Sequence, residues 1–126
     1  MAIHLDHTIV PAHDKIASAE FLAGIFGLTV KPRPGYFAQV QIDERLTLDF
    51  ADAEPGGPSH HYAFHVGEAE LEAIWSRVKA KGIPYGSGPD HHTDGRLYRR
   101  RGGRGFYFED PYGHLLEVMT VPETGS

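Results

Sequence analysis

The sequence predicts an α+β fold built from two tandem modules, each made of a strand, a helix and three further strands. Three observations carry that expectation. Alternating strand patterns recur at matching places in the two halves, with His4–Val10 falling on His60–Val66 and Arg45–Phe50 on Gly113–Val118. Between these segments each half holds one stretch whose apolar residues follow helical spacing. A single stretch rich in structure breakers, Ala53-Glu54-Pro55-Gly56-Gly57-Pro58-Ser59, separates the halves. Module one then covers about residues 1–52, the linker 53–59 and module two about 60–121, together one domain over 1–126.

The elements follow in order. Ile3–Val10 reads as the first strand, with His7 and Ile9 on one face, and Pro11 is expected to end it by withholding a ladder donor. Asp14 is placed to cap a helix whose stripe is Ile16, Ala19, Phe21, Leu22, Ile25 and Phe26, closed by Gly27. Short strands are expected around residues 28–31, 36–42 and 46–50. In module two, His60–Val66 is a strand and about Glu68–Lys81 a helix with Leu71, Ile74, Trp75 and Val78 inward, stopped by Gly82. Ile83–Tyr85 opens the next strand, and Gly86–Gly95 is a longer loop than its counterpart, placed where it could cover a cleft. Arg96–Arg100 and Gly105–Phe108 flank the turn Arg101–Arg104, Asp110-Pro111-Tyr112-Gly113 turns into a last strand over 115–121, and the tail Pro122–Ser126 is expected to be loose.

Composition narrows the function classes. A net charge of −5 argues against general nucleic-acid binding, which rests on Lys and Arg contacts to phosphates. No apolar run approaches the roughly 20 residues that span a bilayer, and the amino terminus lacks the basic-then-apolar pattern of a secretory signal, so a soluble, cytoplasmic protein is expected. The chain has no cysteine, which excludes disulfides, thiol nucleophiles and thiolate metal sites. Any metal must therefore take nitrogen and oxygen ligands.

Candidate ligands of that kind stand in the strands. His7 and His61 each lie in a module's opening strand, and Asp49 and Glu117 each lie late in another. Glu117 is flanked by Leu115, Leu116, Val118 and Met119, where an ionised carboxylate is costly unless it is paired, hydrogen-bonded or metal-bound. Two modules paired about a pseudo-two-fold axis would bring these side chains into one cleft. His7, His61 and Glu117 are therefore expected to bind a divalent ion, with Asp49 as a second-rank ligand. Tyr107 shares a face with Glu109 while Phe106 and Phe108 point opposite, so either Tyr107 or the two phenylalanines line the cleft. His65 is expected to be a satisfied interior histidine and His114 to stabilise its turn. Tyr36, Phe37, Phe64 and Trp75 are read as core or apolar lining. The cluster Arg96, Arg99, Arg100, Arg101 and Arg104 is read as a solvated loop, with a hold on an anionic substrate as the alternative.

The opening Leu5-Asp6-His7-Thr8-Ile9-Val10, the second opening His61-Tyr62-Ala63-Phe64, and the run from Gly105 through Asp110-Pro111-Tyr112-Gly113 to Glu117 resemble the vicinal oxygen chelate superfamily. That group includes glyoxalase I, extradiol dioxygenases, methylmalonyl-CoA epimerase, fosfomycin-resistance enzymes and bleomycin-binding proteins. The resemblance covers nearly the whole chain and implies a curved mixed β-sheet cleft with helices outside. It also implies ligand positions at His7, His61 and Glu117, and at Asp49 a position that is glutamate or glutamine in the glyoxalase and epimerase branches, so that the shorter aspartate is expected to reach the metal directly or only through water. Tyr107 matches a substrate-contacting tyrosine of fosfomycin thiol transferases, but Ile9 stands where those enzymes carry threonine, and fosfomycin chemistry is not expected.

The function these features predict is chelation of adjacent oxygens of a small substrate by a divalent ion, whether Fe, Zn, Ni, Mn or Mg. Glu117 first and Asp49 second would serve as base, and Tyr107 would donate to a developing oxyanion. Glyoxalase-like lyase or isomerase chemistry is favoured over ring-cleaving dioxygenation because four candidate ligands are present. The alternative is a metal-free drug- or metabolite-binding protein of the bleomycin-resistance type. A homodimer with two equivalent sites is expected.

Overall fold

The structure, a computed structural model, describes residues 2–32 and 35–122. The chain divides into two compact units, Met1–Pro58 and Ser59–Ser126. Both are mixed α+β, each a sheet with one helix, as the sequence predicts. The expected loose tail falls largely on residues 123–126, outside the described residues.

Unit one holds β1 (His7–Ala12), α1 (Lys15–Phe26), β2 (Ala38–Gln41) and β3 (Thr47–Asp52), with sheet order β1-β3-β2. β1 runs parallel to β3 and β2 antiparallel to it. Alternation divides the side chains: Val10, Ala12, Leu48, Phe50, Ala38 and Val40 are buried on the face that carries α1, and the other face carries the polar residues. Asp14 caps α1, its Oδ1 accepting from the amides of Ile16 and Ala17 at 3.1 Å, and Gly27 ends it in the left-handed region at φ 73°.

Four expectations are corrected in this unit. Pro11 does not end β1: it lies within the strand opposite Ala51, because β1 is at the edge of this sheet, where a missing N–H breaks no ladder bond. Residues 3–6 form no strand, and of the strand expected at 28–31 only an isolated bridge, Val30 to Val40, is present. Tyr36 is not part of the core but 81% exposed.

Unit two holds β4 (His61–His65), α2 (Glu68–Ala80), β5 (Tyr85–Gly86), β6 (Tyr98–Arg100), β7 (Gly103–Glu109) and β8 (Leu115–Met119). Its sheet runs β4-β8-β7-β5, and β6 also pairs with β7. Phe106, Phe108, Leu116 and Val118 are buried on the α2 side, with Leu71, Ile74 and Val78 of the helix. Fully burying such a side chain stabilises the fold by about 1.5–3 kcal/mol. The Trp75 ring meets Tyr85 edge-on at 6.4 Å, and Tyr85 meets Phe106 in the same way at 5.7 Å, joining α2 to the sheet. Arg104 adds ion pairs to Glu68 at 2.9 Å and to Glu72. The turn between β6 and β7 is tighter than expected. Only Arg101 and Gly102 form it, both at positive φ (49° and 80°), as a two-residue primed hairpin turn requires.

The repeat is present in hydrogen-bond register, with an offset the sequence comparison did not give. Ile9 stands opposite Asp49 and Ala63 opposite Glu117, both in parallel pairs. His7 is therefore equivalent to His61, and the first-strand alignment shifts by two residues from the one that sets His4 on His60.

Candidate functional site

In unit one the face away from α1 carries His7, Ile9, Thr47, Asp49, Gln39 and Gln41. Asp49 is only 5% exposed, and its Oδ1 accepts a hydrogen bond from Gln39 Nε2 at 2.9 Å, which offsets part of the cost of burying the carboxylate. His7 has a 61% exposed side chain, and its Nδ1 lies 2.8 Å from Asp6 Oδ2. That carboxylate fixes the proton on Nδ1 and leaves Nε2 with its lone pair outward, the arrangement usual for a metal-binding imidazole. The Asp6 hydrogen bond raises the His7 pKa above its ordinary value, and the charges of Asp6 and Asp49 add to the rise against desolvation.

In unit two the equivalent face carries His61, Glu117, Tyr107, Tyr98 and Arg100. Glu117 is 4% exposed. Its Oε1 lies 3.1 Å from His61 Nε2, and its Oε2 accepts from the Tyr98 hydroxyl, with Arg100 Nη2 at 3.8 Å. Tyr107 stands directly opposite Glu117 on β7, its ring 5.9 Å from that of His61 and 5.6 Å from that of Tyr98. Of the two orientations open for β7, Tyr107 shares the polar face and Phe106 and Phe108 take the helix side.

The four expected ligands are thus present as two pairs, one per unit, each on the polar face of its sheet. Among the described residues no group of three or more histidine, aspartate or glutamate side chains stands together as one ion would need. The donor chemistry of each pair suits a divalent ion. Two donors bound at right angles about 2.1 Å from one ion lie about 3.0 Å apart. His61 Nε2 and Glu117 Oε1 have that separation at 3.1 Å, where an ion can replace the shared proton.

Several residues differ from their expected roles. His65 is exposed instead of interior, with Nε2 3.2 Å from the carbonyl of Thr120. The His114 ring, expected to stabilise its turn, is fully buried and accepts from the His60 amide at 3.0 Å, while Asp110 Oδ1 holds the turn by accepting from the amides of Tyr112, Gly113 and His114. The arginine cluster is divided: Arg104 clamps α2, Arg101 donates to the carbonyl of Pro122, Arg100 faces Glu117, and Arg96 and Arg99 are exposed.

Tyr98 and Gln39 are site residues that sequence reasoning missed. Glycine inside a strand marks a close approach, and Gly105 was the available signal for Tyr98. Gln39 was legible only through the alternation of Ala38-Gln39-Val40-Gln41 once β2 is set against β3.

The model of the Glyoxalase/Bleomycin resistance protein/Dioxygenase superfamily matches residues 4–118. Among solved structures, oxidase ChaP-H2 superposes with a TM-score of 0.92 at 46% identity, covering 97% of this chain and 96% of that one. Oxidase ChaP-H1 superposes with a TM-score of 0.91 at 43% identity, covering 98% and 100%. Among curated proteins, the metallothiol transferase FosB of Shouchella clausii (strain KSM-K16) is 35% identical over 60 residues, 48% of this chain. That match spans 37% of the transferase, little more than a third of its length.

Proposed function

Because the chain belongs to the glyoxalase/bleomycin resistance protein/dioxygenase superfamily, we propose that it is a divalent-metal-dependent enzyme acting on adjacent oxygens of a small substrate, with iron(II)-dependent oxidation as its chemistry. The observation that carries the oxidative reading is the 46% identity, over almost the whole of both chains, to a solved protein named as an oxidase. It reverses the order expected from ligand count, which placed lyase or isomerase chemistry first. The short partial match to a thiol transferase supports the family and adds nothing on the reaction.

In this reading His61 and Glu117, 3.1 Å apart, would hold the ion, with His7 and, directly or through water, Asp49 as the remaining proposed ligands; two histidines and a carboxylate suit iron(II) oxygen chemistry. When bound, the ion would supply chelation of two neighbouring substrate oxygens and a route for electrons to dioxygen. The protein side chains do the rest. Asp6 keeps the His7 ring in the tautomer that presents Nε2. The Tyr107 ring lies on the same face as Glu117, where its hydroxyl can donate to a substrate oxygen that gains charge. Arg100, exposed at the edge of that face, offers positive charge to an anionic oxygen.

The homodimer belongs to this proposal too, with two equivalent sites. The test is oxygen uptake by the untagged protein, stripped and reloaded with iron(II), zinc, nickel, manganese or magnesium, on catechols and hydroxyquinones. Uptake with iron alone supports the reading. Isomerisation of a hemithioacetal by the zinc or nickel form, without oxygen uptake, would return lyase chemistry to first place.

A further inference from the structure

We propose that Tyr98 is a positioning residue for Glu117, holding one carboxylate oxygen so that the other alone is presented, beside His61, to the ion; this rests on the function proposed above. The Tyr98 hydroxyl donates to Glu117 Oε2, while Oε1 faces His61 Nε2 at 3.1 Å. The two oxygens therefore have different partners, and a carboxylate tied at one oxygen cannot swing to offer both.

The seat for this contact is built into the strand. Tyr98 stands opposite Gly105, and a Cβ at Gly105 would lie 2.5 Å from both Cζ and the hydroxyl oxygen of Tyr98. Only glycine there lets the ring lie across β7 and reach the next strand, β8, where Glu117 sits. Arg100, two residues on and on the same face, stands 3.8 Å from the same Oε2 and 5.3 Å from the Tyr98 ring. Unit one solves the same problem with a different part. Asp49 is tied through Oδ1 by Gln39, which stands where Tyr107 stands in unit two. The role that Gln39 plays from the neighbouring strand falls in unit two to a residue from the β6 hairpin.

The experiment uses cobalt(II) as the probe with untagged wild type and Tyr98→Phe, which keeps the ring on Gly105 and removes only the hydroxyl. Affinity is read by chelator competition, ligand geometry by the visible bands of cobalt, and fold by thermal melting of the metal-free protein. The expected result is a loss of affinity of about 10–100-fold, typical of removing an outer partner of a ligand, with shifted bands and a metal-free melting temperature close to wild type. Wild-type affinity and bands in Tyr98→Phe overturn the proposal, even if melting falls, since the hydroxyl would then serve only the fold. If wild type itself binds no cobalt, the proposed function fails, and metal-free crystals decide the present point. A Glu117 carboxylate rotated away from its wild-type position in Tyr98→Phe upholds the hold, and an unmoved one overturns it.

Discussion

At the scale of single residues, the two buried carboxylates explain most of the local design. Asp49 and Glu117 are each nearly excluded from water, and each is tied by a neutral donor and accompanied by a histidine from the adjacent parallel strand. Burying a carboxylate is costly, and these hydrogen bonds offset part of that cost. Tyr107→Phe is expected to leave metal content unchanged and to lower turnover, by about 10²-fold if its hydroxyl stabilises charge in the transition state; equal turnover would remove Tyr107 from the site. The glycines give a second test by urea unfolding. Gly105→Ala should lower stability by about 1–3 kcal/mol through overpacking against Tyr98 and the Val118 carbonyl. Gly24→Ala, on the exposed side of α1 with open space around it, should raise stability by up to about 1 kcal/mol. His7, His61, Asp49 and Glu117 could be nominated from residue type, alternation and family pattern. Tyr98 was signalled only indirectly, by Gly105, because its role depends on which residue across β7 lacks a side chain.

At the scale of elements, both helices were legible, α1 from its cap Asp14 and stop Gly27 and α2 from its inward Leu71, Ile74 and Val78; the α1 stripe was read less well, since Ile16 is 43% exposed and Ser18 and Ala23 are buried in its place. Strand limits were less so. Pro11 reads as a stop only if both sides of its strand are paired, and edge position is a property of the sheet, not of the local sequence. The two-residue offset between β1 and β4 was hidden for a related reason. Alternation repeats every two residues, so a shift of two leaves the apolar pattern intact and only the pairing fixes it. The 86–95 loop carries its own pH dependence. His92 Nδ1 lies 2.9 Å from the Pro89 carbonyl and Nε2 2.6 Å from Glu109 Oε2, so both nitrogens face acceptors and both contacts need the imidazolium. The Pro89 carbonyl first, then Glu109, raise the His92 pKa from its ordinary 6.5 against desolvation. A raised value means that protonation stabilises the loop conformation that makes these two contacts. The contribution is complete below pH 6.5 and disappears as pH climbs past the raised value. Amide exchange in residues 87–94 is expected to show protection, corrected for intrinsic rate, that falls on going from pH 6 to pH 8 in wild type but not in His92→Gln. Equal pH dependence in both would assign the effect elsewhere.

At the scale of the whole molecule, the repeated strand-helix-strand plan was readable because hydrophobic periodicity and one Pro/Gly-rich linker mark it. The site was readable only in part: residue type and alternation nominate a histidine and a carboxylate in each unit, and they do not give the partners, Gln39 and Tyr98, that tie those carboxylates. The homodimer reading predicts sedimentation at twice the 13.9 kDa of the chain, and a species at 13.9 kDa would contradict it. The central claim, that His7, His61 and Glu117 together hold a catalytic metal, is tested most directly by elemental analysis after iron(II) reconstitution. Untagged wild type would be compared with His7→Ala, His61→Ala and Glu117→Ala. The account predicts about one iron per chain in wild type and a large loss in each of the three variants, because each removes a ligand of the same ion. Wild-type iron content in all three variants, or no iron in wild type, would contradict it.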